Sequence, residues 1–455
     1  MAVDRSRLPA LGPEPAYSFP RIHWRALSNG ARACAVEHRD VPLVSAIVLI
    51  PVGASADPTG RHGLAALTGD LLDEGCGDLG ALEVHDALGR MGAQLDIEVG
   101  ADATLVTITG LARFAERIFA LAADMIVRPR MEAREFERVR ELRLNRLVQL
   151  RDVPSAQAER AFASLLFGSH PYGYLPIGTT ASLRATSLDD VTAFHRAQYL
   201  SARATIVAVG DAPADRLFAL MEGAFGPWTV ETPPGADDGG STSTPDTAAH
   251  RLAIVDRAGS PQSELRIGHV GLPRSTPDYH ALVTLNMVLG GQFVSRLNMN
   301  LREHKGYTYG VRTSFDFRRA SGLFVMQTSV QSEATVDAVR ESLAEMTDIR
   351  SARPVTRQEL ELGRAALTRG YPRNFETGEQ IGRAAAQIAL YDLPDDYFST
   401  FVPRVLSLTP EDLTRVAAHI DPSRLTTVIV GDHAKLQDRI LELGLGEGLV
   451  VAPEF

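Results

Sequence analysis

The spacing of apolar and polar positions changes period repeatedly along the chain, and each change marks a predicted element. Alternating or continuous apolar runs rich in Val and Ile over 31–37 and 43–52 predict strands. A 3.6-residue period over 63–72 and 81–91 predicts helices, 93–98 and 104–109 read again as strands, and 111–126 as a helix. Residues 132–150 form a long charged helical pattern. It stops ahead of Asp152-Val153-Pro154, because the residue before a proline is pushed out of the α region. A further amphipathic helix follows over 155–167, and the segment before residue 31 reads as an extended arm.

One cassette occurs twice. Ser187-Leu188-Asp189-Asp190 carries a cap with its acid three residues on, followed by a helix to about residue 199 and an apolar strand over 204–210. Thr409-Pro410-Glu411-Asp412 repeats the cap, and Thr426-Thr427-Val428-Ile429-Val430-Gly431-Asp432 repeats Thr205-Ile206-Val207-Ala208-Val209-Gly210-Asp211. The strands are 221 residues apart and the caps 222, which two unrelated α/β domains with similar endings would have to match by coincidence. The expected fold class is therefore α+β: two similar halves, each a mostly antiparallel sheet covered by helices, at 1–229 and 250–455. Between them, 230–249 has no apolar pattern and is rich in Gly, Ser, Thr and Pro, so it reads as a flexible linker with a mean reach of about 25 Å.

Composition narrows the function classes. With 45% apolar and 22% charged residues and no run of ~18 apolar positions, the chain reads as a globular protein outside the membrane. A net charge of −10 with no Lys/Arg block argues against nucleic acid. Cys34 and Cys76 are too few for a disulfide framework or a cysteine metal site and are expected as free, half-buried thiols. The start has no signal-peptide pattern, so the expected location is cytoplasmic, with the periplasm as the alternative for a processed start.

Candidate chemistry concentrates between Gly290 and Gly310, GGQFVSRLNMNLREHKGYTYG. Gly290-Gly291 breaks one helical run, and a second run over 294–301 ends in cations, a glycine and a strand pattern. Arg302 falls near the helix end and Tyr309 on the strand. On rigid elements either side of a tight turn, both could donate hydrogen bonds to one ligand oxygen. A salt-bridged helix end and an interfacial tyrosine would leave the same pattern.

Residues 63–75, opening after a strand and a Pro/Gly turn, resemble the zinc-site helix of the pitrilysin, insulin-degrading enzyme and mitochondrial processing peptidase family, which carries an inverted H-x-x-E-H motif. In that motif two histidines four apart bind one zinc and the glutamate activates water. Here the five positions are Ala66, Leu67, Thr68, Gly69 and Asp70. The family's third ligand, a glutamate on the long helix, is expected close to Asn145-Arg146, with Glu141 the nearest carboxylate. Alanine, aspartate and arginine do not make a tetrahedral zinc site. Two look-alikes fail as well: Cys34 and His38 lie four apart on a strand, roughly 13 Å from each other, and Asn300-Leu301-Arg302-Glu303-His304 lacks the first histidine. No metal is expected in this chain, at the degenerate positions Ala66 and Asp70 or elsewhere.

The resemblance returns at Phe293-x-Ser295-Arg296-Leu297 and Leu301-Arg302-Glu303-x-Lys305-Gly306-x-x-Tyr309, which look like the signature of the family's second half, and it covers nearly the whole chain. It implies that Arg302 and Tyr309 orient substrate at a zinc site in the other half of the enzyme. With the zinc positions stripped here, the chain resembles the non-catalytic member of a two-subunit metallopeptidase, inactive alone. A homologous H-x-x-E-H partner would then hold the zinc, and this chain would bind peptide substrates and supply Arg302 and Tyr309. The alternative implied by the same family is a scaffold or core-type subunit of a larger complex with no catalytic role.

Overall fold

The computed structural model describes residues 17–229, 245, 251–446, 448–453 and 455. The expected linker at 230–249 lies, but for Pro245, outside the described residues. Strands β1 (Ile22–Ala26), β2 (Arg32–Glu37), β3 (Leu43–Ile50), β4 (Gln94–Val99), β5 (Thr104–Leu111) and β6 (Thr205–Gly210) form one six-stranded sheet in the order β1-β2-β6-β3-β5-β4. Strands β7 (Leu252–Asp256), β8 (Gln262–Gly271), β9 (Thr308–Asp316), β10 (Gly322–Gln331), β11 (Thr426–Gly431) and β12 (Leu449–Val450) form a second in the order β12-β7-β11-β8-β10-β9. Position by position the two orders agree. The cassette strand, β6 or β11, runs parallel to β2 or β7 on one side and antiparallel to β3 or β8 on the other. The outermost strand beside β2 and β7 differs: β1 is antiparallel, and β12 is parallel and only two residues long. Strand β1 lies within the stretch expected as an extended arm; its IHWRA pattern is half-buried and has no clean alternation to announce it.

Helices follow in chain order: α1 (Leu64–Asp70), α2 (Ala81–Met91), α3 (Ala115–Val127), α4 (Ala133–Arg151), α5 (Pro154–Phe167), α6 (Thr180–Ala185), α7 (Leu188–Gln198) and α8 (Ala214–Phe225). The second half adds α9 (Tyr279–Leu289), α10 (Thr335–Asp348), α11 (Arg357–Thr368), α12 (Gly378–Leu390), α13 (Tyr397–Ser407), α14 (Pro410–Ala417) and α15 (His433–Ile440). Both predicted caps close as capping boxes. Ser187 Oγ accepts from Asp190 N at 3.1 Å while Asp190 Oδ2 accepts from Ser187 N at 2.8 Å, and Thr409 and Asp412 do the same at 3.2 and 2.9 Å. Each cap is worth ~1 kcal/mol of helix stability.

All six residues of β6 and all six of β11 are buried, so both faces of each sheet must be covered. The inner cover is local, but the other face is covered by a helix from the opposite half. Ile381 and Ala385 of α12 pack on Ile47 and Leu49 of β3 and Val207 and Val209 of β6, and Gly382 comes so close that a Cβ would stand 2.5 Å from Ile47 Cδ1. Reciprocally, Ala158 and Phe162 of α5 pack with Ala253, Val255, Val428 and Val430 of β7 and β11. Polar clamps rim this exchange. Arg383 of α12 pairs with Asp96, with Glu98 at 2.8 Å and with Glu379 at 3.0 Å. Asp102, in the β4–β5 turn, accepts from the Tyr172 hydroxyl at 2.5 Å and from Arg319 N at 2.8 Å in the β9–β10 turn of the other half.

Cys34 and Cys76 are free, as expected, but fully buried rather than half-buried. Cys34 sits on the interior strand β2, and burial pushes the Cys76 thiol up to about 12. No helix among the described residues is long and apolar enough to cross a membrane.

Candidate functional site

The first candidate position is the α1 cleft. Asp57, in the turn before α1, accepts from Gly63 N at 2.6 Å and Ala65 N at 2.7 Å, so its carboxylate holds two of the helix's free N–H groups. Burial raises its pKa to about 7 despite those bonds. One helical turn apart, Ala66 and Asp70 open onto a cleft of about 890 Å³ whose other wall is β4 and α4. Asp70 is already committed, because Arg143 Nε of α4 donates to its Oδ2 at 2.5 Å while Arg143 Nη1 reaches Pro176 O at 3.4 Å. Deeper in, Arg138 pairs with Glu74 and with Glu135 at 2.7 Å.

Zinc fails the test these residues set: one carboxylate, neutralised by a guanidinium, and an alanine. Among the described residues no group of three or more His, Cys, Asp or Glu side chains could hold a metal. One detail of the sequence reading is corrected. The α4 residue facing Asp70 is Arg143, not the Asn145-Arg146 position; Asn145 and Glu141 both point to solvent, and Arg146 reaches only the cleft wall.

The second candidate position is built around a bulged edge strand. Gly290 ends α9, and the run expected as an α-helix over 294–301 is instead a π-helical turn, Asn298–His304. Its wide bonds include Lys305 N to Asn300 O at 3.0 Å. Buried Asn298 fixes the turn to β9: its Nδ2 donates to Val311 O at 2.8 Å and its Oδ1 accepts from Val311 N at 2.9 Å. Arg296 is spent on structure, with Nε and Nη2 on the Glu359 carboxylate at 2.6 and 2.8 Å.

Pairing along β9 then slips, Thr308 opposite Val330 but Val311 opposite Thr328, which leaves Tyr309 and Gly310 in a bulge opposite Ser329. The bulge turns Tyr309 outward to 89% exposure. Arg302 comes to it from the π turn: its Cζ lies 4.9 Å from the Tyr309 ring centroid and 4.4 Å from that of Phe293, itself 55% exposed. Its Nε faces Glu303 Oε1 at 3.2 Å. The structure thus brings Arg302 and Tyr309 together and adds Phe293, a residue whose role the sequence did not reveal. Tyr307, which regular strand alternation would put on Tyr309's face, is half-buried against the second core, because the bulge breaks the alternation.

Residues 185–367, which include Arg302 and Tyr309, match the profile of the peptidase M16 inactive domain. That match spans 183 of the chain's 455 residues. Similar chains extend along most of its length. An uncharacterized zinc protease of Mycobacterium bovis is 24% identical over 391 residues, 85% of this chain and 87% of that one. A non-peptidase homolog of Helicobacter pylori is 22% identical over 431 residues, 89% and 96% of the two chains. The fold recurs in a peptidase M16 inactive domain from Pseudomonas fluorescens, at TM-score 0.82, 22% identity and coverage of 90% and 98%. It recurs also in a protease from Helicobacter pylori, at TM-score 0.81, 20% identity and coverage of 90% and 99%.

Proposed function

We propose that this M16 chain is the zinc-free subunit of a heteromeric peptidase, binding peptide and presenting Arg302 and Tyr309 to the active site of a homologous, zinc-bearing H-x-x-E-H subunit. The observation that carries the reading is the solvent-facing stack of Phe293, Arg302 and Tyr309 on a bulged strand. A phenol exposed to 89% contributes little to this chain's own stability, whereas a guanidinium held between two rings is pre-positioned for a partner. Apart from Nε, the Arg302 N–H groups make no hydrogen bond among the described residues, so they and the Tyr309 hydroxyl are available to peptide carbonyl oxygens. The α1 cleft supports the same division of labour, since its Asp70–Arg143 pair leaves metal chemistry to the other subunit.

The test is reconstitution with a zinc-bearing homologue. Tyr309→Phe and Arg302→Ala should leave assembly and zinc content unchanged and lower kcat/KM by roughly 10²-fold or more, the scale of one oxyanion-type donor. A fully assembled complex indifferent to both substitutions would replace this reading with that of a scaffold subunit.

A further inference from the structure

A second cleft lies where the loop before α9 meets α12, α13 and the 3₁₀ turn Tyr371–Phe375, with a volume of about 370 Å³. Its polar lining is one-sided: Arg274, Arg383, Asn374, Gln380 and Gln387 supply guanidinium and amide groups, and no carboxylate lines it. Arg383 already has three acidic partners outside the cleft, Asp96, Glu98 and Glu379. Arg274 has none. It is 94% removed from solvent (6% exposed), and no ion pair to it exists among the described residues. Its charge is met by ring faces, with Cζ 3.7 Å from the Tyr279 centroid, 4.8 Å from that of Tyr397 and 5.8 Å from that of Tyr391, and by the Tyr397 hydroxyl as a side-chain hydrogen-bond partner.

A buried guanidinium without a carboxylate is costly, and ring quadrupoles offset only part of that cost. The surroundings add no anion. His280, beside it, has an Nε2 without a hydrogen-bond partner and is held neutral, its pKa lowered to about 4 by burial and by the Arg404 and Arg274 charges. The cleft is also lined by Tyr371, Phe375, Phe398 and Phe401. Cationic and amide donors together with aromatic walls match a ligand with one carboxylate and a flat apolar body.

We propose that this cleft is a binding site for a small aromatic or branched apolar carboxylate, with Arg274 holding the carboxylate. Such a group comes either as a free acid or as the C-terminal residue of a peptide, and two probes separate the sources. By titration calorimetry on the full chain, 3-phenylpropionate should bind saturably with a sub-millimolar Kd, and 3-phenylpropionamide at least tenfold more weakly, the loss expected when a charge-assisted bond becomes a neutral one. N-acetyl-phenylalanine binding more tightly than 3-phenylpropionate would identify a peptide C-terminus as the source; the reverse order identifies a free acid. Arg274→Gln should abolish the preference for acid over amide. Asn374→Trp, at the exposed rim, should block both probes without touching the core, so a folding defect at Arg274 cannot mask the outcome. Equal binding of acid and amide, binding unaffected by Asn374→Trp, or no binding at 10-fold above the expected range (roughly 10 mM) would overturn the site and leave Arg274 as a purely structural ring-stacked cation.

Discussion

Restoring the three residues of the H-x-x-E-H motif, Ala66→His, Gly69→Glu and Asp70→His, should not restore a zinc site. A Cβ at Gly69 would stand 2.7 Å from Val99 Cγ2 and 3.6 Å from Ile97 Cγ2, because edge strand β4 lies directly over α1. Overpacking of that kind costs about 1–3 kcal/mol, offset by about 1 kcal/mol from removing a helix-interior glycine. Asp70→His forfeits an ion pair whose acid is 42% exposed, worth ~1 kcal/mol after solvent screening. The larger obstacle is Arg143. A guanidinium left about 4 Å from a dication at an effective dielectric of 20 opposes it by roughly 8 kcal/mol, against the ~10–16 kcal/mol that a structural zinc site provides.

The triple variant should therefore bind zinc only in the millimolar to micromolar range. Adding Arg143→Glu should tighten binding by about 10³-fold or more, because a glutamate Oε is as many bonds from its Cα as the arginine Nε now 2.5 Å from Asp70 Oδ2. Competition against a fluorescent zinc chelator, with metal analysis of dialysed protein, measures both variants. One zinc per chain bound at nanomolar Kd by the triple variant, with Arg143 intact, would refute the geometric reasoning.

Three further outcomes follow from the packing. Proteolytic cleavage within 230–249 should leave both fragments in one peak on size exclusion, because α5 and α12 each cover the other half's sheet; fragments that separate without denaturant would contradict that exchange. Asp102→Ala leaves the Tyr172 hydroxyl and Arg319 N–H without their acceptor and should cost about 2–4 kcal/mol in chemical denaturation, while Tyr172→Phe should cost less. His195 and His280 are both held near 4 by burial, below their ordinary value of 6.5. The unfolded chain then binds more protons between those values, so stability should be present above pH 6.5 and be lost as pH falls towards 4. The slope is at most ~1.4 kcal/mol per pH unit per group, and His195→Gln should flatten it in pH-dependent denaturation curves.

Features written in local chemistry were legible from the sequence. The boxes at Ser187 and Thr409 need only residues three apart, and the buried strands Thr205–Gly210 and Thr426–Gly431 need only a short Val/Ile-rich run between threonine and glycine. The absence of zinc ligands at Ala66 and Asp70 is a matter of residue type alone. Other features depend on what meets what across the fold. Amphipathic periods in α5 and α12 say that a face is buried but not against which sheet, so their exchange between halves was hidden. Arg143 rather than the 145–146 position faces Asp70 because of helix phase, which two residues shift by about 200°. The π turn and the bulge each insert a residue into a regular period, and that is why Tyr307 and Tyr309 part company and why Phe293 joins the stack unannounced.

The two candidate positions differ in where their charges go, and the difference bears on how the chain can act. In the α1 cleft Arg143 holds Asp70 and beside it Arg138 holds Glu74 and Glu135, while Arg146 reaches Gln149 Oε1 at 3.2 Å. At Asp70 an incoming metal would have to displace the Arg143 guanidinium, because that ion pair already holds the carboxylate. At the bulge the only acid on Arg302 among the described residues is its chain neighbour Glu303, 41% exposed, and the rings that flank the guanidinium face water. Because water screens that pair, a peptide carbonyl or a partner surface can take its place at little cost. The face of this chain that an incoming carbonyl can reach without breaking a shielded ion pair is therefore the outward face of the second half, which α5 and α12 tie to the first.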